Sequence, residues 1–214
     1  MPSPYTPAEA WSALLEGNRR FVAGEMEHPS QGVDHRTELS VAQNPFAVVF
    51  GCSDSRVAAE IIFDRGLGEI FVVRTAGHVV DTTVLGSIEY GVEVLGASLV
   101  VVLGHDSCGA VLAAAQALTT GVMPTGFVRA IVDRVIPSIV TTPDESRPGS
   151  GHLTVPSPEL LGREHLRHTV DMLLSYSAAL SAAVAEGRCA VVGMEYTLAQ
   201  GEARTVDVRG AVEA

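Results

Sequence analysis

Two stretches, FAVVFGCSDSR at residues 46–56 and LVVVLGHDSCG at residues 99–109, share the same construction. In each, an unbroken apolar run rich in Val ends at a glycine, and a polar motif follows at once. A β-branched run of this kind is typical of a strand buried on both faces of a parallel sheet. The two stretches therefore predict two buried strands, each followed by a loop that carries chemically active side chains.

The rest of the chain repeats this alternation. Further apolar runs of strand length lie at residues 70–73 and 190–192. Helical apolar periodicity is found at residues 82–95, 109–118, 127–140 and 159–186. Strands that alternate with helices favour an α/β fold, with a mostly parallel central sheet flanked by helices. We expect a single domain over 1–214, in which the Pro-, Ser- and Gly-rich residues 141–158 form a surface loop.

The N-terminal residues 1–24 predict a helical arm. Thr6 and Glu9 have the spacing of a capping box, and Gly24 can end the helix. Its apolar stripe, which includes Trp11, precedes the first strand, so we expect this stripe to pack on a partner subunit. The alternative is that the helix folds onto its own domain.

Composition and charge restrict the partners of the protein. The formal net charge is −11, from 14 basic against 25 acidic residues. An acidic surface repels phosphate backbones and anionic lipids, so we expect neither nucleic acid nor a membrane as a partner. The sequence shows neither a secretory signal pattern nor an apolar stretch of the ~20 residues needed to cross a bilayer. We therefore expect a cytoplasmic protein, whose three cysteines are reduced and available to a metal.

Cys52, His105 and Cys108 are the candidate metal ligands. Loops at the carboxyl ends of neighbouring parallel strands can meet, although 53 positions separate Cys52 from His105. Two thiolates and one imidazole form a known ligand set for catalytic zinc, which keeps its fourth position for water. A closed structural site would need a fourth ligand, and Cys189 instead opens an apolar strand. The alternative for each residue is a small buried cysteine or a structural histidine.

Asp54 and Arg56 lie in the same loop as Cys52. An aspartate beside a dication and an arginine stays ionised, and it can accept a hydrogen bond from water on the metal. The alternative is an ion pair that only stabilises the loop. The position of Asp54, two residues from a candidate ligand, favours the functional interpretation.

These motifs, together with GEIFVVR at residues 68–74 and SIEY at residues 87–90, resemble the signature of β-class carbonic anhydrases. The likeness is greatest to actinobacterial members. It implies a lyase that reversibly hydrates carbon dioxide to bicarbonate and a proton, with one Zn²⁺ per chain bound by Cys52, His105 and Cys108. It also implies that Asp54 and Arg56 form a dyad that orients the zinc-bound hydroxide, with Asp54 as the fourth ligand in a closed state.

The resemblance also assigns the substrate pocket. Gln43 matches a substrate-binding glutamine of the plant-like subgroup, Phe71 and Tyr90 match positions that line the pocket, and the Gly109 amide is placed to donate to a substrate oxygen. It further implies a homodimer or homotetramer, in which Gln43 and Tyr90 reach the zinc of the neighbouring chain. Two other functions remain open: a carbon disulfide or carbonyl sulfide hydrolase on the same scaffold, and a zinc-binding protein without catalysis.

Four of the other six histidines call for an interpretation. His78 suits either a proton relay, because imidazole titrates near neutral pH, or a structural hydrogen bond. His152, His165 and His168 are expected to be exposed on the surface.

Overall fold

The chain folds into a five-stranded sheet with helices on both faces, in a computed structural model that describes residues 5–140 and 157–212. The strands are β1 (Ala47–Cys52), β2 (Ile70–Thr75), β3 (Leu99–His105), β4 (Ala190–Tyr196) and β5 (Ala203–Arg209). The helices are α1 (Pro7–Ala23), α2 (Val33–Glu38), α3 (Ala59–Ile62), α4 (Thr82–Glu89), α5 (Gly109–Thr120), α6 (Val128–Val140), α7 (Pro158–Tyr176) and α8 (Ala178–Ala185). The α/β prediction is confirmed.

The sheet has the order β2-β1-β3-β4-β5, and its first four strands are parallel. All four were predicted from their apolar runs. The fifth strand, β5, pairs antiparallel to β4 and was not predicted. It lies at the edge of the sheet and contains the charged residues Arg204, Asp207 and Arg209. It therefore lacks the continuous apolar pattern of a strand buried on both faces.

The order of the strands places the functional loops. From β1 the chain passes to β2 on one side, and it then crosses to β3 on the other side. The carboxyl ends of β1 and β3 therefore form a topological switch point, where open α/β sheets bind ligands. Gly51 pairs with Leu103, so the two strands end at the same edge of the sheet.

The core forms on both faces of the sheet because successive side chains of a strand point in opposite directions. On β1, Ala47 and Val49 face the layer that contains α1 and α3. Val48 and Phe50 face the opposite layer, which contains α4, α7 and α8. Every residue of β1, β3 and β4 is buried, and this explains why their sequences read as continuous apolar runs.

Helix α1 begins and ends where its sequence predicts. The Thr6 and Glu9 capping box forms at its start, and Gly24 ends it in the left-handed conformation with φ 71°. Its apolar stripe, however, packs on the chain's own core: Trp11 and Leu14 are buried among residues of β1 and β3. Packing of this stripe on a partner subunit is therefore not shown, and Trp11 and Leu14 follow the alternative, in which the helix folds onto its own domain.

Polar contacts and close packing explain this placement of α1. Asn18 donates to the carbonyl oxygens of Ile62 (3.1 Å) and Gly201 (2.9 Å), and it accepts from the backbone N–H of Ala203 (2.9 Å). At Gly17, a β-carbon would lie 1.8 Å from the carbonyl oxygen of Phe63, so only glycine permits this approach. These contacts join residues far apart in sequence, which periodicity alone does not reveal.

Two predicted helices differ in extent from the observed ones. The helix predicted over 159–186 is broken at Ser177, whose hydroxyl accepts from the N–H of Leu180 and caps α8. The helix predicted over 82–95 changes to a π-helical turn at Tyr90–Val94. The surface loop predicted over 141–158 lies, up to residue 156, outside the described residues. Among residues 5–140 and 157–212, no helix is long and apolar enough to span a membrane.

Candidate metal centre

Cys52, His105 and Cys108 meet at the switch point. Cys52 is the last residue of β1, His105 is the last residue of β3, and Cys108 directly precedes α5. Their ligand atoms all lie within 4.8 Å of one another, and all three residues are buried. Tetrahedral zinc with sulfur and nitrogen ligands places those atoms roughly 3.5–3.8 Å apart, so small side-chain adjustments suffice. The predicted meeting of the three residues is confirmed.

The imidazole of His105 is oriented to bind a metal. Its Nδ1 lies 2.7 Å from the carbonyl oxygen of Asp106, which can only accept, so Nδ1 carries the proton. The Nε2 atom then presents its lone pair towards the sulfurs. This buried nitrogen has no hydrogen-bond partner in the described part of the chain, a costly arrangement that a metal ion would satisfy. The residues present therefore fit zinc.

The two sulfurs affect each other's ionisation. The Cys108 thiol lowers the pKa of Cys52; burial opposes this, and His105 and the Gly77 amide lower the pKa further. The neighbouring Cys52 sulfur, followed by burial, raises the pKa of Cys108. Because zinc binds thiolates, its binding would favour the deprotonated form of both cysteines.

Asp54 and Arg56 form a bidentate pair beside the three ligands. The Nε and Nη2 atoms of Arg56 donate to the two carboxylate oxygens of Asp54 at 2.9 and 2.7 Å, and the Arg56 backbone N–H donates at 3.0 Å. This guanidinium lowers the pKa of Asp54 below its usual range. The Asp54 Oδ2 atom lies 3.9 Å from His105 Nε2. An ionised carboxylate therefore adjoins the metal ligands.

Arg74 also belongs to this centre, and it was not among the predicted site residues. Its Nε donates to the carbonyl oxygen of Cys52 (3.0 Å), and its Nη2 donates to that of Asp54 (2.7 Å). The side chain thus fixes the backbone of the loop that carries both residues. The sequence did contain a signal for this role, because Arg74 directly follows the apolar run at residues 70–73, at the edge of the sheet where the ligands lie.

Gly77 was also missed. It follows β2, and its backbone N–H donates to the Cys52 sulfur at 3.2 Å. Its φ of 66° lies in the left-handed region, which glycine adopts without strain. The sequence offered only the glycine itself as a signal.

Only one of the four predicted substrate-binding residues adjoins the ligands within a single chain. Gly109 is the first residue of α5 and directly follows Cys108. A cavity of about 290 Å³ opens beside His105 and Cys108, and none of the four predicted residues lines it. Gln43 lines a separate cleft of about 490 Å³. The rings of Phe71 and Tyr90 lie 6.2 Å apart, and Tyr90 is 46% exposed.

The expectations for the histidines need correction. His165 is fully buried rather than exposed, because α7 packs it against the turn after β2, where its ring lies 4.4 Å from that of His78. His78 is buried too, and its ring nitrogens have no hydrogen-bond partner in the described residues. The predicted structural hydrogen bond of His78 is therefore absent there. His168 is half-buried, and His152 lies outside the described residues.

A mostly parallel α/β sheet whose switch point holds two cysteines and a histidine defines a class of zinc-binding α/β proteins. Residues 47–203 match the family model described as carbonic anhydrase. The chain is 54% identical over 197 residues to carbonic anhydrase 2 of Mycobacterium tuberculosis, covering 92% of this chain and 91% of that protein. It is 55% identical over 195 residues to the carbonic anhydrase of Mycolicibacterium smegmatis, covering 91% of each. The chain belongs to the carbonic anhydrase family.

Solved structures agree on the fold. The β-carbonic anhydrase of Coccomyxa, in complex with acetazolamide, matches with a TM-score of 0.68 at 24% identity, over 93% of this chain and 88% of that one. A structure from a study of two tetrameric β-carbonic anhydrases of Sordaria macrospora matches with a TM-score of 0.67 at 19% identity, over 92% and 96%. The fold is that of the β class, whose members are zinc enzymes.

Proposed function

We propose that this chain catalyses the zinc-dependent, reversible hydration of carbon dioxide. The observation that carries this proposal is the convergence of Cys52, His105 and Cys108 within 4.8 Å, with the ionised Asp54 next to them. Actinobacterial relatives that carry the name carbonic anhydrase, at 54% and 55% identity, support the reaction.

Cys52, His105 and Cys108 would hold the zinc. When bound, zinc supplies Lewis-acid chemistry that lowers the pKa of water and so provides a nucleophile near neutral pH. Three protein ligands leave the fourth tetrahedral position open, as catalytic zinc sites require. The burial of the three side chains keeps bulk solvent from competing with them.

The carboxylate of Asp54 would orient the attacking water by accepting its hydrogen bond. Arg56 keeps this carboxylate ionised and holds both of its oxygens in a fixed direction. Without this restraint Asp54 could turn towards the metal and become its fourth ligand, which would close the site. Arg56 therefore keeps Asp54 available for substrate chemistry.

Carbon dioxide is uncharged, so the pocket must hold it by shape and by weak hydrogen bonds. The amide of Gly109, at the start of α5, is placed to donate to a substrate oxygen, and the helix N-terminus favours the negative charge that develops there. We assign Gln43 as a second donor, and Phe71 with Tyr90 as the apolar wall. Gln43 and Tyr90 are exposed in one chain, which supports their reaching the site of another.

The protein would act as a homodimer or homotetramer in the cytoplasm, with 1–214 as a single domain. The burial of α1 against the central sheet supports the single domain. The free state of Cys52, Cys108 and Cys189 is compatible with a reducing compartment. The alternatives, a carbon disulfide or carbonyl sulfide hydrolase and a zinc protein without catalysis, are not favoured, because the relatives are named carbonic anhydrases and Asp54 would have no task in the latter.

Zinc analysis and stopped-flow measurement of carbon dioxide hydration, on the same samples, test the proposal. We expect about one zinc per chain in the unaltered protein. Cys52→Ser and Cys108→Ser should lose both zinc and activity, because each removes a thiolate ligand. The matched control is Cys189→Ser, which alters a buried cysteine directly before β4 and should keep both. Stoichiometric zinc in a Cys52→Ser, Cys108→Ser double variant would refute the assignment.

A further inference from the structure

Gly77 makes two buried polar contacts in different directions. Its N–H donates to the Cys52 sulfur at 3.2 Å. Its carbonyl oxygen lies 2.9 Å from the Nε2 atom of His165, a residue 88 positions further along the chain. One glycine thus connects a metal ligand at the end of β1 with a histidine on α7.

We propose that His165 is a positioning residue of the metal centre: by holding the carbonyl of Gly77, it keeps the Gly77 amide directed at the Cys52 sulfur. This inference rests on the proposed function, because it takes Cys52 as a zinc ligand. His165 touches neither substrate nor metal in this role and acts only through Gly77.

The hydrogen-bond partners of His165 fix which nitrogen carries the proton. The carbonyl oxygen of Gly77 can only accept, so Nε2 is the donor. The Nδ1 atom lies 2.8 Å from the Ser138 hydroxyl, which donates to it when the ring is neutral. Burial lowers the pKa of His165 to about 4, so the ring is neutral near pH 7. The ring of His78, whose centroid lies 4.4 Å away at an interplanar angle of 35°, restricts its rotation further.

Gly77 needs such an anchor because of its backbone. Its φ of 66° and ψ of 22° are open only to residues that tolerate the left-handed region, and a β-carbon would lie 2.5 Å from that of Ala110. Glycine is therefore required here, yet glycine has the freest backbone of all residues. A hydrogen bond on its carbonyl restricts this freedom and so fixes the direction of its N–H.

The consequence concerns the affinity for zinc. Groups that hydrogen-bond a metal ligand orient it, and their loss typically costs 10–100-fold in metal affinity or activity. Without His165, Gly77 can rotate, the Cys52 sulfur loses its N–H donor, and the ligand set is less well ordered. We expect faster zinc release and altered electronic transitions from sulfur to metal.

The experiment compares two variants of similar size in the full chain. His165→Gln retains an N–H donor that can reach the Gly77 carbonyl, and His165→Met has similar length but no donor. Zinc release to a chromogenic chelator is measured, together with the sulfur-to-metal charge-transfer bands of the Co²⁺-substituted protein. We expect His165→Met to release zinc about 10–100-fold faster with shifted bands, and His165→Gln to stay near the unaltered protein.

Leu173→Ala is the matched control for loss of stability. Leu173 is fully buried on the same helix, about two turns after His165, and packs in the core with Val170 and Leu180. This variant should be less stable but should release zinc at the unaltered rate. If His165→Met does not fold, His165→Asn replaces it, because its amide is one bond too short to reach Gly77.

Two results would overturn the inference. One is an unchanged release rate and spectrum in a folded donor-less variant. The other is equal acceleration in His165→Gln and the donor-less variant, since the hydrogen bond would then not be the cause. Failure of the proposed function is distinguishable, because the unaltered protein would then lack either stoichiometric zinc or carbon dioxide hydration, whatever residue 165 is.

Discussion

At the scale of single residues, the centre depends on side chains that fix one another. Arg56 holds the carboxylate of Asp54, and Arg74 holds the carbonyl groups of Cys52 and Asp54. The loop after β1 is therefore ordered by two guanidinium groups, one from within the loop and one from β2. Each planar guanidinium offers several donors in fixed directions, which a lysine could not replace.

Replacing Arg56 by alanine should separate activity from metal content. The variant keeps all three zinc ligands, so we expect unaltered zinc. Activity should fall about 10–100-fold, because Asp54 loses its restraint and competes for the open position on the metal. The measurements are carbon dioxide hydration and zinc analysis of the same sample.

The matched control for this prediction is Arg204→Ala. Like Arg56, Arg204 pairs with an acidic residue two positions earlier, Glu202, and its side chain is equally exposed at 55%. It lies on β5, and its loss should leave activity unchanged. An Arg56→Ala variant that matches this control in activity would remove Arg56 from the catalytic group.

At the scale of elements, the end of α1 is tied to the segment after α3 by a buried carboxylate. Asp64, whose side chain is 1% exposed, accepts from Arg20 Nε at 2.6 Å and from the backbone N–H groups of Glu27 and His28, each at 3.0 Å. One carboxylate thus anchors the last turn of α1 and the chain that leaves it. Such a group stabilises only while it is ionised.

Asp64→Asn should lower the free energy of unfolding by about 2–4 kcal/mol at pH 7, because it leaves Arg20 without its anion in a largely buried pair. Chemical denaturation measures this difference. Asp171→Asn is the matched control: Asp171 pairs with Arg209 but is 61% exposed, so its change should stay within about 0.5 kcal/mol. Equal effects of the two substitutions would show that the buried anchor adds nothing.

The pH dependence of the Asp64 contribution follows from its pKa. Burial raises the pKa of Asp64, but the Glu27 N–H, Arg20 and the His28 N–H outweigh this and lower it overall. The folded pKa therefore lies below the unfolded value of about 3.9, and the contribution is complete above that value. It is lost as the pH falls through the folded pKa. The difference between the unaltered protein and Asp64→Asn should accordingly shrink in acid, and a constant difference down to pH ~2 would contradict this.

At the scale of the whole molecule, the proposed pocket would be shared between two chains. The cavity beside His105 and Cys108 is lined by neither Gln43 nor Tyr90, and both of these side chains are exposed. The apolar stripe of α1 no longer argues for a partner, since Trp11 is buried within the chain. A shared site would therefore be formed through Gln43 and Tyr90.

Mixed dimers test the shared site. Cys52→Ser chains are co-refolded with Gln43→Ala chains, and the purified heterodimers are assayed for carbon dioxide hydration. The intact zinc site of the Gln43→Ala chain would then meet the intact Gln43 of its partner. We expect activity above that of either parent, because one complete site forms per dimer.

The control mixture combines Cys52→Ser with Cys108→Ser chains, in which neither chain holds zinc, and it should gain no activity. Verified Cys52→Ser and Gln43→Ala heterodimers that show no gain either would mean that Gln43 does not act across the interface.

The sequence alone determined what depends on local signals and on the general rule for parallel sheets. The capping residues of α1 predicted its bounds, because they act within one helical turn. The apolar runs predicted β1 to β4, because strands buried on both faces must be continuously apolar. Cys52, His105 and Cys108 were predicted to meet because each lies at the carboxyl end of such a strand or in the loop after it.

Only the tertiary structure decided what depends on contacts between distant residues. The burial of Trp11 against its own sheet, the capture of Asp64 by Arg20, and the bonding of His165 to Gly77 all join positions that no periodicity relates. Strand β5 lies at the edge of the sheet, where most of its residues stay half-exposed. Its sequence therefore lacks the continuous apolar run of a buried strand. The physical reason is that a local pattern indicates that a face is apolar, whereas the surface that covers this face is set by the packing of the whole chain.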